Sequence, residues 1–162
     1  MAGIGKITYD RIDILLNMYK EKSKWLESIG KPMWNPAFLE KDAFFQKYPN
    51  PECFLAFIGN HPAGGFILIE KDEFFWNDDG SASSYYLHKL VVREGFTGKG
   101  LAEEMVMWAR KYAMAMGKRT LRLECYHDRE YLIKLYTKCG FRMTQIKVMS
   151  DGTEIALFEM PL

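Results

Sequence analysis

The sharpest chemical feature of the chain is Thr97-Gly98-Lys99-Gly100-Leu101-Ala102, a turn between an apolar strand-like run and a long amphipathic pattern. Glycines let backbone amides approach an anion without Cβ clashes, and a helix start adds the positive end of its dipole. A phosphate or pyrophosphate suits such a loop. The spacing excludes two commoner phosphate loops. A Walker A loop ends in Gly-Lys-Ser/Thr, whereas Gly100 is followed by Leu101, and a dinucleotide fingerprint has a third Gly or Ala where Glu103 stands. Taken alone, the loop also fits an ordinary strand-to-helix turn.

The other chemically capable side chains are scattered. Cys125-Tyr126-His127 pairs two soft ligands, but no third follows at a recognisable spacing, so no metal site is expected. Cys53, Cys125 and Cys139 are odd in number and form no CxxC pair. That argues against a disulfide framework and fits a reducing, cytoplasmic setting. Cys139 reads as packing and His61, within Asn60-His61-Pro62, as an exposed turn residue. Lys99 and Lys138 are solvated cations able to pair with phosphate. His88 lies in a strand over 84–92 whose even members Tyr86, His88, Leu90 and Val92 are expected to share one face.

The elements that would position these residues follow from periodicity. Helical spacing runs from residue 10 or 11 to 29, with Gly30 and Pro32 as stop signals. Asn35-Pro36 opens a second short helix ending near Tyr48-Pro49. Strands are predicted over 53–58, 65–70 and 84–92. The strongest helix carries Leu101, Met105, Trp108, Tyr112 and Met116, and Gly117 can cap it. A half-buried strand over 120–125 leads to a helix over 129–138 closed by Gly140. The runs 141–149 and 153–160 flank Ser150-Asp151-Gly152, a hairpin signal. Helix, helix, three strands, helix, strand, helix and two strands make an α/β fold with a mixed sheet.

On these residues the chain resembles the GNAT superfamily of N-acetyltransferases. Leu90-Val91-Val92 followed by Phe96-Thr97-Gly98-Lys99-Gly100-Leu101-Ala102 is similar to its motif A, Arg/Gln-x-x-Gly-x-Gly/Ala at the start of the central helix. Arg129-Glu130-Tyr131-Leu132-Ile133-Lys134-Leu135-Tyr136-Thr137-Lys138-Cys139-Gly140-Phe141 is similar to its motif B, Asn-x-x-Ala-x-x-Leu-Tyr-x-Lys-x-Gly-Phe. Thr97 stands at the usual Arg/Gln position, Arg129 at the usual Asn and Leu132 at the usual Ala. The backbone cradle does not depend on those side chains.

The resemblance implies a single domain over 1–162, with a mostly antiparallel mixed sheet flanked by helices. It implies acetyl-CoA as cofactor, CoA as product, and direct acetyl transfer to an amine in a ternary complex. Cofactor contacts are expected from Leu90, Val91, Val92, Thr97, Gly98, Lys99, Gly100, Leu101, Ala102, Arg129 and Tyr136. Main-chain amides around 90–92 would face the developing oxyanion. Tyr136 falls at the family's general-acid position, and His88 or Tyr86, or a water relay, at that of the base. A protonated alkylamine has a reference pKa of ~10.4, so a proton acceptor is required.

Composition narrows the partners. The 162 residues carry 22 Lys plus Arg against 21 Asp plus Glu, a net charge of +1 that disfavours nucleic-acid binding. The charge-free run 53–69 is broken by Gly59-Asn60-His61-Pro62, and charges interrupt the first twenty residues, so neither a membrane span nor a signal peptide is expected. Trp25, Met33, Trp34 and Phe74-Phe75-Trp76 can wall a pocket for a small-molecule or peptide amine. A monomer or homodimer is expected. Thr97 and Arg129 keep a second reading in view, a catalytically inactive acyl-CoA-binding module of the same fold.

Overall fold

In a computed structural model that describes residues 1–77 and 82–162, the uncharged run broken at Gly59-Asn60 folds as a hairpin. Its strands are β2 (Glu52–Ile58) and β3 (His61–Ile69), and Gly59 turns the chain at φ +59°. Phe54 and Phe66 face each other across the hairpin with rings stacked 4.8 Å apart, both buried. Such a cross-strand aromatic pair contributes about 0.5–1.5 kcal/mol beyond its area. The full strand order is β1-β2-β3-β4-β5-β7-β6. Here β1 is Gly3–Ile7, β4 Ser84–Val92, β5 Thr120–Tyr126, β6 Arg142–Val148 and β7 Glu154–Pro161. β4 pairs with β5 in parallel, while β1–β2, β2–β3, β5–β7 and β6–β7 are antiparallel. Helices are α1 (Ile12–Ser28), α2 (Lys41–Lys47), α3 (Leu101–Ala115) and α4 (Glu130–Lys138). The fold is mixed α/β, as its patterning predicted, with the mostly antiparallel sheet that the resemblance implied.

The chain divides into two compact units. The first joins Met1–Leu68 to Lys89–Met105. In it α1 buries Leu15, Leu16, Tyr19 and Leu26 on one stripe. Gly65 lets this stripe approach β3: a Cβ there would stand 2.5 Å from Leu15 Cδ1 and 2.6 Å from the Phe54 carbonyl. α1 stops at Gly30, whose φ of +73° lets the Lys31 amide reach back to the Leu26 carbonyl at 2.9 Å. β1 was not predicted. Only Ile7 of its five residues is buried, so it carries no alternation, and pairing with β2 is what makes it a strand. The short helix expected from Asn35 is in fact two pieces. Asn35 Oδ1 accepts from the Ala37 amide at 3.0 Å and caps a 3-10 turn at Pro36–Leu39; extended Glu40 then separates that turn from α2.

The second unit joins Ile69–His88 to Val106–Leu162. Trp76, Tyr86, Ile155 and Leu157 form a buried cluster. The predicted hairpin at Ser150-Asp151-Gly152 is present, with Gly152 at φ +86° and the Met149 amide donating to the Thr153 carbonyl at 2.8 Å. α4 ends at Gly140, φ +102°, where the Phe141 amide donates to the Tyr136 carbonyl at 3.0 Å. That closure turns Phe141 back onto the helix.

One expectation for β4 is overturned. Residues 86, 88, 90 and 92 do not continue on one face, because Lys89 takes a left-handed conformation at φ +53°. A residue with positive φ inserts a local twist that breaks the two-residue period. Tyr86 and His88 are buried, but beyond Lys89 it is Val91 that is buried, with Leu90 and Val92 only half so.

Candidate active site

In the first unit the chain leaves β4 through a turn in which the Phe96 amide donates to the Arg93 carbonyl at 3.0 Å. Gly98 and Gly100 follow at φ +72° and +81°, and the Glu104 amide then closes the first helical turn on the Gly100 carbonyl. Thr97, Gly98, Lys99 and Gly100 are exposed, and among the described residues no backbone carbonyl accepts from their amides. Leu101 is buried and anchors the start of α3. Exposed donors, left-handed glycines and a fifteen-residue helix behind them form an anion cradle. These residues fit a pyrophosphate. Lys99 Nζ lies 3.4 Å from the Gly95 carbonyl, at the edge of this loop.

The first unit also holds an aromatic box. Lys89 Nζ stands 5.0 Å from the Trp34 ring centre, 5.7 Å from that of Tyr48 and 5.9 Å from that of Tyr19. Three ring faces stabilise an ammonium by cation–π attraction. Trp34 itself packs edge-on against Tyr19 at 5.2 Å. So the sequence reading of Trp34 as a pocket wall meets a cation from the chain itself.

In the second unit His88 lies between two carboxylates. Asp72 Oδ2 is 3.1 Å from Nε2 and Glu124 Oε1 is 3.5 Å from Nδ1. His88 and Asp72 side chains are 8% and 6% exposed, and Glu124 is the most open of the three at 18%. One ligand atom from each residue lies within 4.8 Å of the others. The carboxylates address opposite nitrogens of one ring. Tyr86, the alternative base, is fully buried, and Arg122 Nη1 donates to its hydroxyl oxygen at 3.0 Å.

Tyr136 is buried in α4, with its ring 5.8 Å from Phe141 and 5.9 Å from Phe158. Burial, reinforced by Cys125 and Glu124, holds its hydroxyl well above the usual phenol range. It therefore stays protonated, with its O–H able to donate. Burial also pushes the Cys125 thiol up to about 12, which removes it as a nucleophile or ready metal ligand. Arg129 precedes α4 and is buried, with Nη1 2.6 Å from Asp128 and its guanidinium 5.0 Å over the Tyr126 ring.

Asp72 and Glu124 are the site residues that sequence reasoning missed. Lys71-Asp72-Glu73 has the composition of a solvated run at a strand end. Its local signal was the turn chemistry: Asp72 Oδ1 accepts from the Phe75 amide at 3.3 Å and the Asp72 carbonyl from the Trp76 amide at 3.1 Å. Glu124 alternates outward from Leu123 and Cys125 in β5, and only the parallel pairing of β4 with β5 brings it to His88.

The α/β sheet, the glycine cradle entering α3 and the α4–Gly140–Phe141 closure together define a GNAT-type acetyltransferase. The family model described as the acetyltransferase (GNAT) family matches residues 16–141, and the chain belongs to that family. It is 26% identical to the uncharacterized N-acetyltransferase YesJ of Bacillus subtilis (strain 168), over 93% of this chain and 85% of that protein. A GNAT-family acetyltransferase structure from Listeria monocytogenes superposes with a TM-score of 0.76 at 19% identity, covering 99% of this chain and 95% of the other. A second, from Elizabethkingia anophelis with acetyl-CoA bound, gives 0.70 at 19% identity, over 99% and 98%. At such identities the structural likeness establishes the fold. No helix among the described residues is long and apolar enough to cross a membrane.

Proposed function

We propose that the chain, as one domain over residues 1–162, is an acetyl-CoA-dependent N-acetyltransferase acting on a primary amine of a small molecule or peptide. The acetyl group moves by direct attack in a ternary complex. The observation that carries this reading is the loop from Thr97 to Gly100, whose exposed amides lack a backbone acceptor among the described residues and open onto α3. The same-fold neighbour with acetyl-CoA bound supports it. Thr97 adds a hydroxyl, and Leu101 and Ala102 supply the first free amides of the helix. The cytoplasm is the proposed compartment, in keeping with three free cysteines.

Acetyl-CoA, when bound, supplies the reactive thioester and the thiol leaving group. The main-chain amides of Leu90, Val91 and Val92 are the proposed donors to the developing oxyanion. His88 accepts the proton that the amine gives up. The Tyr136 hydroxyl, kept protonated by burial, donates a hydrogen bond to the departing sulfur. A thiol of reference pKa ~8.5 leaves readily, so this donor has only to stabilise the thiolate. Arg129 is proposed as a further cofactor contact through the start of α4.

The test is acetyl-CoA consumption across a panel of small amines and amine-bearing peptides, with wild type and His88→Ala compared. Turnover with an acidic limb in kcat/KM that His88→Ala removes is the expected result. Thermal stabilisation by CoA without acetyl transfer to any amine would instead make the chain an acyl-CoA-binding module.

A further inference from the structure

Asp72 and Glu124 have no part in the mechanism above, yet they enclose its proposed base. We infer that Asp72 is a positioning residue that fixes the His88 imidazole through Nε2, and that Glu124 is the outlet through which the amine's proton leaves Nδ1. This rests on the reading of His88 as proton acceptor. The argument starts from proton counting. A neutral imidazole carries one N–H and one lone pair, so between two ionised carboxylates one nitrogen must turn a lone pair towards negative charge. Protonation removes that conflict and gives both carboxylates an N–H to face.

The distances separate the two roles. Asp72 is the nearer, at 3.1 Å, and the more buried, and its other oxygen is held by the Phe75 amide, so it cannot swing away without losing that cap. It is fixed in place by that turn. Glu124 is farther, at 3.5 Å, and three times as exposed, which makes it the member able to pass a proton to solvent. The step balances simply. The amine's proton goes to Nδ1, then to a Glu124 oxygen, then to water, and the imidazole returns to its starting state.

Three further titratable groups among the described residues lie beside the cluster, and each is held elsewhere. Tyr136 and Cys125, which sit near Glu124, are held in their protonated forms by burial. Arg122, on the β5 face bearing Glu124, is committed to Glu159 at 2.7 Å and to the Tyr86 hydroxyl. The expected consequence is that the acidic limb of kcat/KM lies above the reference histidine value of ~6.5.

The experiment follows the ring nitrogens of the three histidines by 15N NMR across pH in the whole protein, alongside the pH–rate profile. His61→Gln and His127→Gln assign the signals. Asp72→Asn retains the oxygen that caps Phe75, so it keeps the turn while removing the charge. Its His88 midpoint, and with it the kinetic limb, is expected to fall by about one pH unit or more, leaving the variant relatively more active at low pH. Glu124→Gln should lower the midpoint too and slow turnover at low buffer concentration, with rescue by added buffer. A neutral His88 in wild type at pH 6.5, or a midpoint unmoved in both variants, would overturn the inference. So would stoichiometric Zn²⁺ binding that displaces the His88 proton and is lost in Asp72→Asn, because the cluster would then be a cation site. Should His88→Ala retain its full rate while the NMR midpoints still shift, the base reading fails and the charge coupling stands.

Discussion

Arg122 Nη1 donates to the hydroxyl oxygen of Tyr86 at 3.0 Å while its Nε holds Glu159 at 2.7 Å, so a fully buried tyrosine is locked to a cation. Locked this way, Tyr86 is expected to serve β4 and β5 packing rather than proton relay. Tyr86→Phe keeps the ring contact with Trp76 and leaves one guanidinium donor unsatisfied. The expected cost is about 1.5–3 kcal/mol in urea unfolding, the range for hydrogen bonds to charged groups. The acidic limb of kcat/KM should stay where wild type has it. A limb that moves with Tyr86→Phe would return Tyr86 to the chemistry.

Gly100→Ala tests the anion cradle. No neighbouring atom stands within 4 Å of an added Cβ, so the difficulty is the φ of +81° rather than crowding. A left-handed conformation costs a non-glycine residue about 1–2 kcal/mol. Relief of that strain would rotate the amides at the start of α3 out of the cradle. CoA is expected to raise the melting temperature of wild type and to lose most of that effect in Gly100→Ala. Equal shifts in the two proteins would remove the loop from the binding site.

Tyr136→Phe retains the packing of the ring against Phe141 and Phe158 and deletes only the hydroxyl. A fall in kcat of about ten- to a hundredfold is expected, the scale of one lost proton donor. The CoA-dependent melting shift should hardly change. Unaltered turnover on a true acceptor would leave Tyr136 as a core aromatic alone.

The cysteines set an alkaline limit to stability. Burial, ahead of any neighbouring charge, pushes both Cys53 and Cys125 up to about 12. Unfolded thiols ionise near ~8.5. Below that value both states hold their protons and the thiols contribute no pH dependence. Above it the unfolded chain alone loses protons, so stability falls by about 1.4 kcal/mol per thiol for each pH unit until the folded thiols also ionise. Urea unfolding across this alkaline range should show the decline, and Cys53→Ala with Cys125→Ala should flatten it. Iodoacetamide should label these two residues in the unfolded chain well before the native one.

Much of this was legible along the chain. Local rules sufficed wherever one residue's conformation decides an element's end: Gly30, Gly117 and Gly140 stop helices because each takes positive φ, and Gly98 and Gly100 shape the loop for the same reason. The alternation at the start of β5 is likewise a periodicity that burial follows, and in α1 Leu15, Met18 and Leu26 are buried as helical spacing predicts while Trp25 and Ile29, read into the same stripe, are exposed. Tertiary structure decided what no period encodes. β1 is a strand because β2 offers it an edge, and Glu40 breaks the expected helix after Asn35 although no glycine stands there. Lys89 turns left-handed inside β4 and shifts the facing of every residue after it, which alternation alone had carried straight through. The surroundings of His88 belong to the same class. Asp72, sixteen positions earlier, and Glu124, thirty-six later, reach its two nitrogens only because a turn after β3 and the parallel pairing of β4 with β5 bring distant backbone together. A charge in a sequence looks solvated until the fold removes the water around it, and for these three residues only the fold does so.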